Sequence, residues 1–187
     1  MDDSVWELRI SVLRKEPTVE AAIRVATTKS GLHADLSLIR ELSTCFPFLR
    51  EEEEEIRTIR GPADLTRALE IASKLQAIKD RSAEISLQHN NMRGKLERLY
   101  DAAESTILLD RDVVTLRNES QRHAVVNRTI PEIVDALSNV KRVLDASDAV
   151  TKNVNQSYNI LKLQVEVIRE MMYQGGLTKA LKSVTQA

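Results

Sequence analysis

From Ile133 to Met172, apolar or small residues recur at alternating steps of four and three. They are Ile133, Leu137, Val140, Leu144, Ser147, Thr151, Val154, Tyr158, Leu161, Val165, Ile168 and Met172, and no Pro or Gly interrupts them. The mean step of about 3.5 residues puts them all on one narrow stripe of a single helix, the period of a coiled-coil seam. At about 1.5 Å per residue such a helix would run to roughly 60 Å. A stripe that thin on a helix that long cannot be covered by a small core of its own. The chain must supply other long helices or borrow them.

A second stripe of the same kind precedes it: Ala68, Ile71, Leu75, Ile78, Ser82, Ile85, His89, Met92, Leu96, Leu99, Ala103 and Thr106. Past Thr106 the register slips to Leu109, Val113 and Leu116, and the polar stretch from Asn118 to Thr129 reads as a turn. Ile130-Pro131 then opens the last helix, with Thr129 as its cap, because Pro suits a first turn. Gly175-Gly176 reads as its end, and the tail beyond carries Leu177, Leu181 and Val184 at helical spacing. Two long helices joined by a short turn imply an antiparallel hairpin.

The N-terminal third is more broken. Val5, Trp6, Leu8, Val12 and Leu13 lie near one face of a short helix that Ser4 could cap, and Lys15-Glu16-Pro17 interrupts it. Thr18 is placed to cap a second helix through Val19, Ala22, Ile23 and Ala26. That helix is expected to run on through Leu32, Leu36, Ile39 and Leu42 despite Gly31. Pro47 predicts a kink or a restart before Ile56 and Ile59. Gly61-Pro62 is the clearest break, with Asp64 positioned to cap the next helix.

The expected fold is all-α: an elongated helical bundle, or antiparallel coiled-coil hairpin, with additional N-terminal helices. Its parts would be residues 1–60, the hairpin over 61–173 with a turn near 118–130, and the tail 174–187. Composition agrees, since aromatics are 3% and Gly and Pro number only 5 and 4, too few for a turn-rich sandwich or barrel.

Chemistry is nearly silent. The 3 histidines, His33, His89 and His123, are far apart, and one Cys leaves no zinc-ligand spacing. His89 falls on the apolar seam, where it reads as a polar register-setting residue or a pH-sensitive partner contact. Cys45 has only His33 as a sequence-local base and reads as a half-buried thiol. No phosphate loop, HExxH or GxSxG occurs, so no catalytic residue, metal or cofactor is expected. Glu51 to Glu55 reads as a solvated face, or else an acidic dock.

Net charge is −1, and Arg93, Lys95 and Arg98 alternate with acids, so a nucleic-acid surface is not expected. The sequons at Asn118, Asn127 and Asn155 read as chance matches. Apolar runs are too short to span a bilayer, and Met1-Asp2-Asp3-Ser4 lacks the regions of a signal peptide. A cytoplasmic protein without membrane insertion is the expectation.

The order of parts resembles the dynactin subunit 3 family, the small subunit of the dynactin shoulder. The resemblance is carried by Val5-Trp6-Glu7-Leu8, by Ile39-Arg40-Glu41-Leu42 through Phe48-Leu49 with the acidic run, Ile56, Ile59 and Pro62-Ala63-Asp64, and by Pro131-Glu132. The chain departs from that family in having Lys15-Glu16-Pro17 where the family has a Gly-rich turn, and in a longer Asp64–Ser120 segment. The resemblance implies a non-catalytic, cytoskeleton-associated subunit that forms a hetero-oligomer with dynamitin and the large arm-bearing dynactin subunit, supporting dynein-driven transport along microtubules.

The expected interaction residues are Leu137, Val140, Leu144, Val154, Tyr158, Leu161, Val165 and Ile168, facing Ile71, Leu75, Ile78, Ile85, Met92, Leu96 and Leu99. Trp6, Leu8 and the C-terminal tail would face outward to partners. Rival readings are a coiled-coil subunit of a kinetochore, spindle or vesicle-tethering complex, and a self-contained helical adaptor that binds lipid or peptide.

Overall fold

Helix dominates because nearly every apolar residue sits at helical spacing, and the computed structural model is all-helical among the described residues. These are residues 3–185 for the backbone and 5–29 and 31–176 for the side chains. The expected roles of Ser4, Leu177, Leu181 and Val184 lie outside the described side chains.

In chain order the helices are α1 (Asp3–Leu13), α2 (Pro17–Thr28), α3 (Ser37–Thr58), α4 (Leu65–Leu108), α5 (Arg111–Val114), α6 (Glu119–Thr129) and α7 (Pro131–Thr185). Short 3-10 turns occupy Ser30–Leu32 and Pro62–Asp64. Two compact units divide them: unit 1 is Met1–Ser37 with Ser86–Asp145, and unit 2 is Leu38–Ile85 with Ala146–Ala187. Each unit therefore draws one stretch from α4 and one from α7, a partition different from the three consecutive segments expected.

Several boundaries differ from the expectation for local reasons. Helix α2 stops at Thr28, and extended backbone at Lys29 and His33 brackets the turn that buries Leu32. Glu16, not Thr18, occupies the N-cap position of α2 and makes no side-chain cap bond, leaving Pro17 at the first turn. Pro47 neither kinks α3 into two helices nor restarts it. Both Pro47 and Ser43, whose carbonyl loses its helical donor, are exposed, so water can take the missing bond.

Asp64 does not cap α4. Its Oδ2 accepts from the backbone N–H of Arg60 (2.9 Å) and Gly61 (3.0 Å), closing the preceding turn and holding its pKa low. The stretch expected as a turn forms α6, because Asn118 accepts from the Ser120 N–H as an N-cap and Val125 and Val126 are buried. Thr129 bonds back to the Val125 carbonyl at 2.7 Å, so it does not cap α7. Helix α7 continues through Gly175 and Gly176 instead of ending there.

Unit 1 packs Leu13, Val19, Ala22, Leu96, Ile107, Val126, Ile133 and Val140 into one core, with Trp6 against its edge. On α1 the apolar residues split: Ile10 and Leu13 go inward, while Val5, Leu8 and Val12 are exposed. Trp6 is thus a core-edge residue rather than an outward-facing one. Arginine pairs clamp α1 to its neighbours. Arg9 binds Asp110, the N-cap of α5, and Arg14 binds Glu132 and the Thr129 carbonyl (2.7 Å), while Arg128 of α6 binds Glu7.

In unit 2, α3 buries or half-buries Leu38, Leu42, Cys45, Leu49, Glu52 and Ile56, a heptad stripe of its own that Ile59 extends just past the helix end. Helices α4 and α7 run antiparallel, since Ser82 meets Ser147 and Thr151 while Leu75 lies by Val154 and Ala68 by Leu161. Ion pairs Arg81–Glu41 (2.9 Å), Lys74–Glu52 (2.8 Å) and Arg67–Glu55 (2.7 Å) tie α4 to α3. The Ser157 hydroxyl donates to Glu53 (3.0 Å) and ties α7 to α3.

The two carboxylates in the unit 1 clamps carry a pH signature. Burial raises the Asp110 pKa, but Arg9 and the backbone amides of Asp112 and Val113 together bring it below 3.8. The hydrogen bond from Arg14 outweighs burial and lowers that of Glu132 below 4.5. A folded pKa below the unfolded one means that the stabilisation is complete above the unfolded value and is lost as pH falls through the folded one. The urea midpoint should therefore decline as pH is lowered from about 5 to about 3. An Asp110→Asn/Glu132→Gln variant should begin lower at neutral pH and show a shallower acid limb. Parallel limbs would refute the role given to these pairs.

Candidate functional site

The candidate site is the apolar surface that the helices leave uncovered. The stripe foreseen on α4 is intact: Ile71, Leu75, Ile85 and Leu96 are buried, and Ile78, Met92 and Leu99 half-buried. On α7 the buried face is wider than foreseen and turned. Val140, Leu144, Val154, Leu161 and Ile168 are buried, but Leu137 and Val165 are only half-buried and Tyr158 is 46% exposed. In place of that flank, Ala136, Val143, Val150 and Ser157 are buried one residue earlier in each heptad. In unit 2 that face meets two neighbours, α4 at Ser147 and α3 at Ser157.

That rotation leaves an apolar groove between α4 and α7 in unit 2. Leu161 and Ala68 form its buried floor, Leu69 and Tyr158 stand on its walls, and Lys162 and Glu166 mark its edge. Its volume is about 640 Å³. Leu69 is 72% exposed. Farther along α7, Leu163, Val167 and Met171 are exposed at four-residue steps. Met172 and Tyr173 are exposed beside them.

Polar groups in the seams bond across the helices. Ser82 donates to the Ser147 carbonyl (2.9 Å), Ser147 returns a bond to the Ser82 carbonyl (2.8 Å), and Thr151 lies 3.0 Å from the Ser82 hydroxyl. Glu52 is 3% exposed at a core position of α3, and Lys74 reaches it while lying 5.7 Å from the Phe48 ring centroid. Three of the five glutamates from Glu51 to Glu55 are thus used inside unit 2, leaving Glu51 and Glu54 exposed. Burial raises the Cys45 thiol pKa, the opposite of what a nucleophile needs. His33 bonds the Thr27 carbonyl (3.1 Å), and His123 lies 3.0 Å from Glu104. His89 is buried on the α4 seam.

Among the described residues no group of three or more His, Cys, Asp or Glu could hold a metal ion, and no helix is long and apolar enough to cross a membrane.

Floor and wall should respond differently to truncation. Leu161→Ala should cost about 2–5 kcal/mol, as for other buried leucines. Leu69→Ala should stay within about 0.5 kcal/mol, as for surface positions. Urea denaturation measures both, and equal losses would show that Leu69 belongs to the core. Comparison of the chain with protein-family models, with curated proteins and with solved structures finds no match.

Proposed function

We propose that the chain is a non-catalytic structural subunit of a multi-protein assembly, acting by lending helix faces to partner helices. The observation that carries the proposal is the unit 2 groove, where Leu69 and Tyr158 stand exposed above a buried floor. Covering apolar surface stabilises by about 25 cal/mol per Å², so an amphipathic helix with anchors at steps of three and four would gain from lying there. Lys162 and Glu166 pair with each other at 3.8 Å along the groove's edge, so the groove's apolar side chains carry the docking. The exposed Val5, Leu8 and Val12 of α1 offer unit 1 a second such face.

The assembly we propose is the dynactin shoulder, with dynamitin and the large arm-bearing subunit as the source of partner helices. The shared layout with the dynactin subunit 3 family supports that identification. In this reading α4 and α7 serve as the antiparallel coiled-coil hairpin of a cytoplasmic, cytoskeleton-associated subunit supporting dynein-driven transport along microtubules.

Substitutions for the test must avoid the floor. Leu161 and Ile168 are buried, so Asp at either position would bury a charge and unfold unit 2 rather than report on docking. Leu69→Glu/Tyr158→Glu should keep the helical circular dichroism and melting temperature of the wild type. Affinity purification with mass spectrometry should recover dynamitin and an actin-related filament with wild type and lose them with the double variant. Recovery of kinetochore, spindle or tethering subunits would move the protein to that class of assembly. Retention of every partner by the double variant would overturn the use of this groove.

A further inference from the structure

The basic residues that alternate with acids along the sequence do not stay mixed in space. Helix α2 and the turn after it bring Lys29 beside Lys95 and Arg98 of α4, around a trough in unit 1 of about 690 Å³. Its apolar floor is Val25, Leu32 and Leu99, and no carboxylate lines it. Arg93, on the same helix, is neutralised by Glu97 at 2.9 Å. Lys29, Lys95 and Arg98 have no ion pair with a carboxylate among the described residues.

Three like charges around one depression repel one another and raise the local potential. The helix dipole accounts for a cation at Lys29, which follows the C-terminus of α2. It does not account for Lys95 or Arg98, which lie in the interior of α4. The Arg98 Nε donates to the Gly94 carbonyl at 3.1 Å, which steadies the guanidinium and leaves its terminal N–H groups to grip a carboxylate.

We propose that this trough docks an acidic peptide segment of another protein, one apolar side chain resting on Val25, Leu32 and Leu99 and flanking carboxylates meeting Lys29, Lys95 and Arg98. The floor favours a peptide over an acyl chain. Only Leu32 is buried, and Val25 and Leu99 are half-exposed. Such a shallow floor suits one Leu- or Phe-sized side chain and cannot enclose a long hydrocarbon. The site lies wholly in unit 1 and does not depend on a helix filling the unit 2 groove.

Gly31 gives a clean way to block it. A Cβ built there meets nothing within 4 Å, and no glycine has positive φ, so Gly31→Glu adds a tethered carboxylate at the trough without strain. The full-length chain is titrated into a fluorescein-labelled acidic peptide, LEELEEL, with fluorescence anisotropy as the readout. Saturable binding is expected, weakening with added salt and falling about tenfold or more in Lys95→Glu/Arg98→Glu and in Gly31→Glu. Circular dichroism confirms that each variant is folded, and Lys29→Glu serves as a second charge reversal should one fail to fold. Absence of saturable binding, or unchanged affinity in the folded variants, overturns the proposal. Equal binding of an all-glutamate peptide refutes the apolar anchor. Sedimentation with phosphatidylserine vesicles, in place of peptide binding, would assign the cations to a membrane surface and overturn it too.

Discussion

Unit 2 depends on an arc of α7, buried at Ser147, Val150, Val154, Ser157, Leu161 and Ile168, that meets α4 through Ser147 and α3 through Ser157. A helix with a single partner needs only a thin seam, and the small and hydroxylated residues of α7 would make that seam weak. With two partners the same helix also buries Val150 and Ser157, the second of which is too small to anchor a seam alone. Small side chains let helix backbones approach closely, so loss of apolar area is offset by contact. The arrangement also fixes which residues remain uncovered: once the arc of α7 has turned toward α3, Tyr158 rotates outward and the groove by Leu69 opens.

Polar residues hold the register that apolar burial leaves loose. Hydrophobic contact is non-directional, so apolar burial alone discriminates weakly between alignments one heptad apart. The hydroxyls of Ser82, Ser147 and Thr151 are bonded across α4 and α7 in one alignment only, and each neutral bond contributes about 0.5–1.5 kcal/mol. Glu52 does the same for α3. Its carboxylate is buried at a core position and stays paired only while Lys74 lies opposite. In unit 1 the equivalent task falls to Arg9, Arg14 and Arg128, which tie one short helix to the ends of its neighbours.

The long helices are legible because their periodicity is continuous, and every position of the α4 stripe from Ala68 to Thr106 is buried or half-buried. The flank of α7 is not legible, because 3.5-residue spacing assumes a single partner and sequence does not reveal the second. Residues 118–129 misled because polar composition reads as loop, yet Asn118 as a cap and two valines sufficed for a helix. The break after Thr28 was masked by apolar residues that continue the helical spacing, with only Gly31 as a signal. The groove emerged from the misjudged flank, since Tyr158 was placed on the seam. The cationic trough was invisible because Lys29 and Lys95 are distant in sequence and meet only through the fold.

In the proposed assembly another polypeptide covers the groove between α4 and α7 of unit 2. Hydrogen–deuterium exchange of the purified chain and of the chain within its native complex tests that claim most directly. Backbone amides over residues 65–72 and 158–166 should exchange measurably more slowly in the complex, with smaller changes along α3. Identical exchange in the two states over those stretches, while the chain remains in the complex, would contradict it.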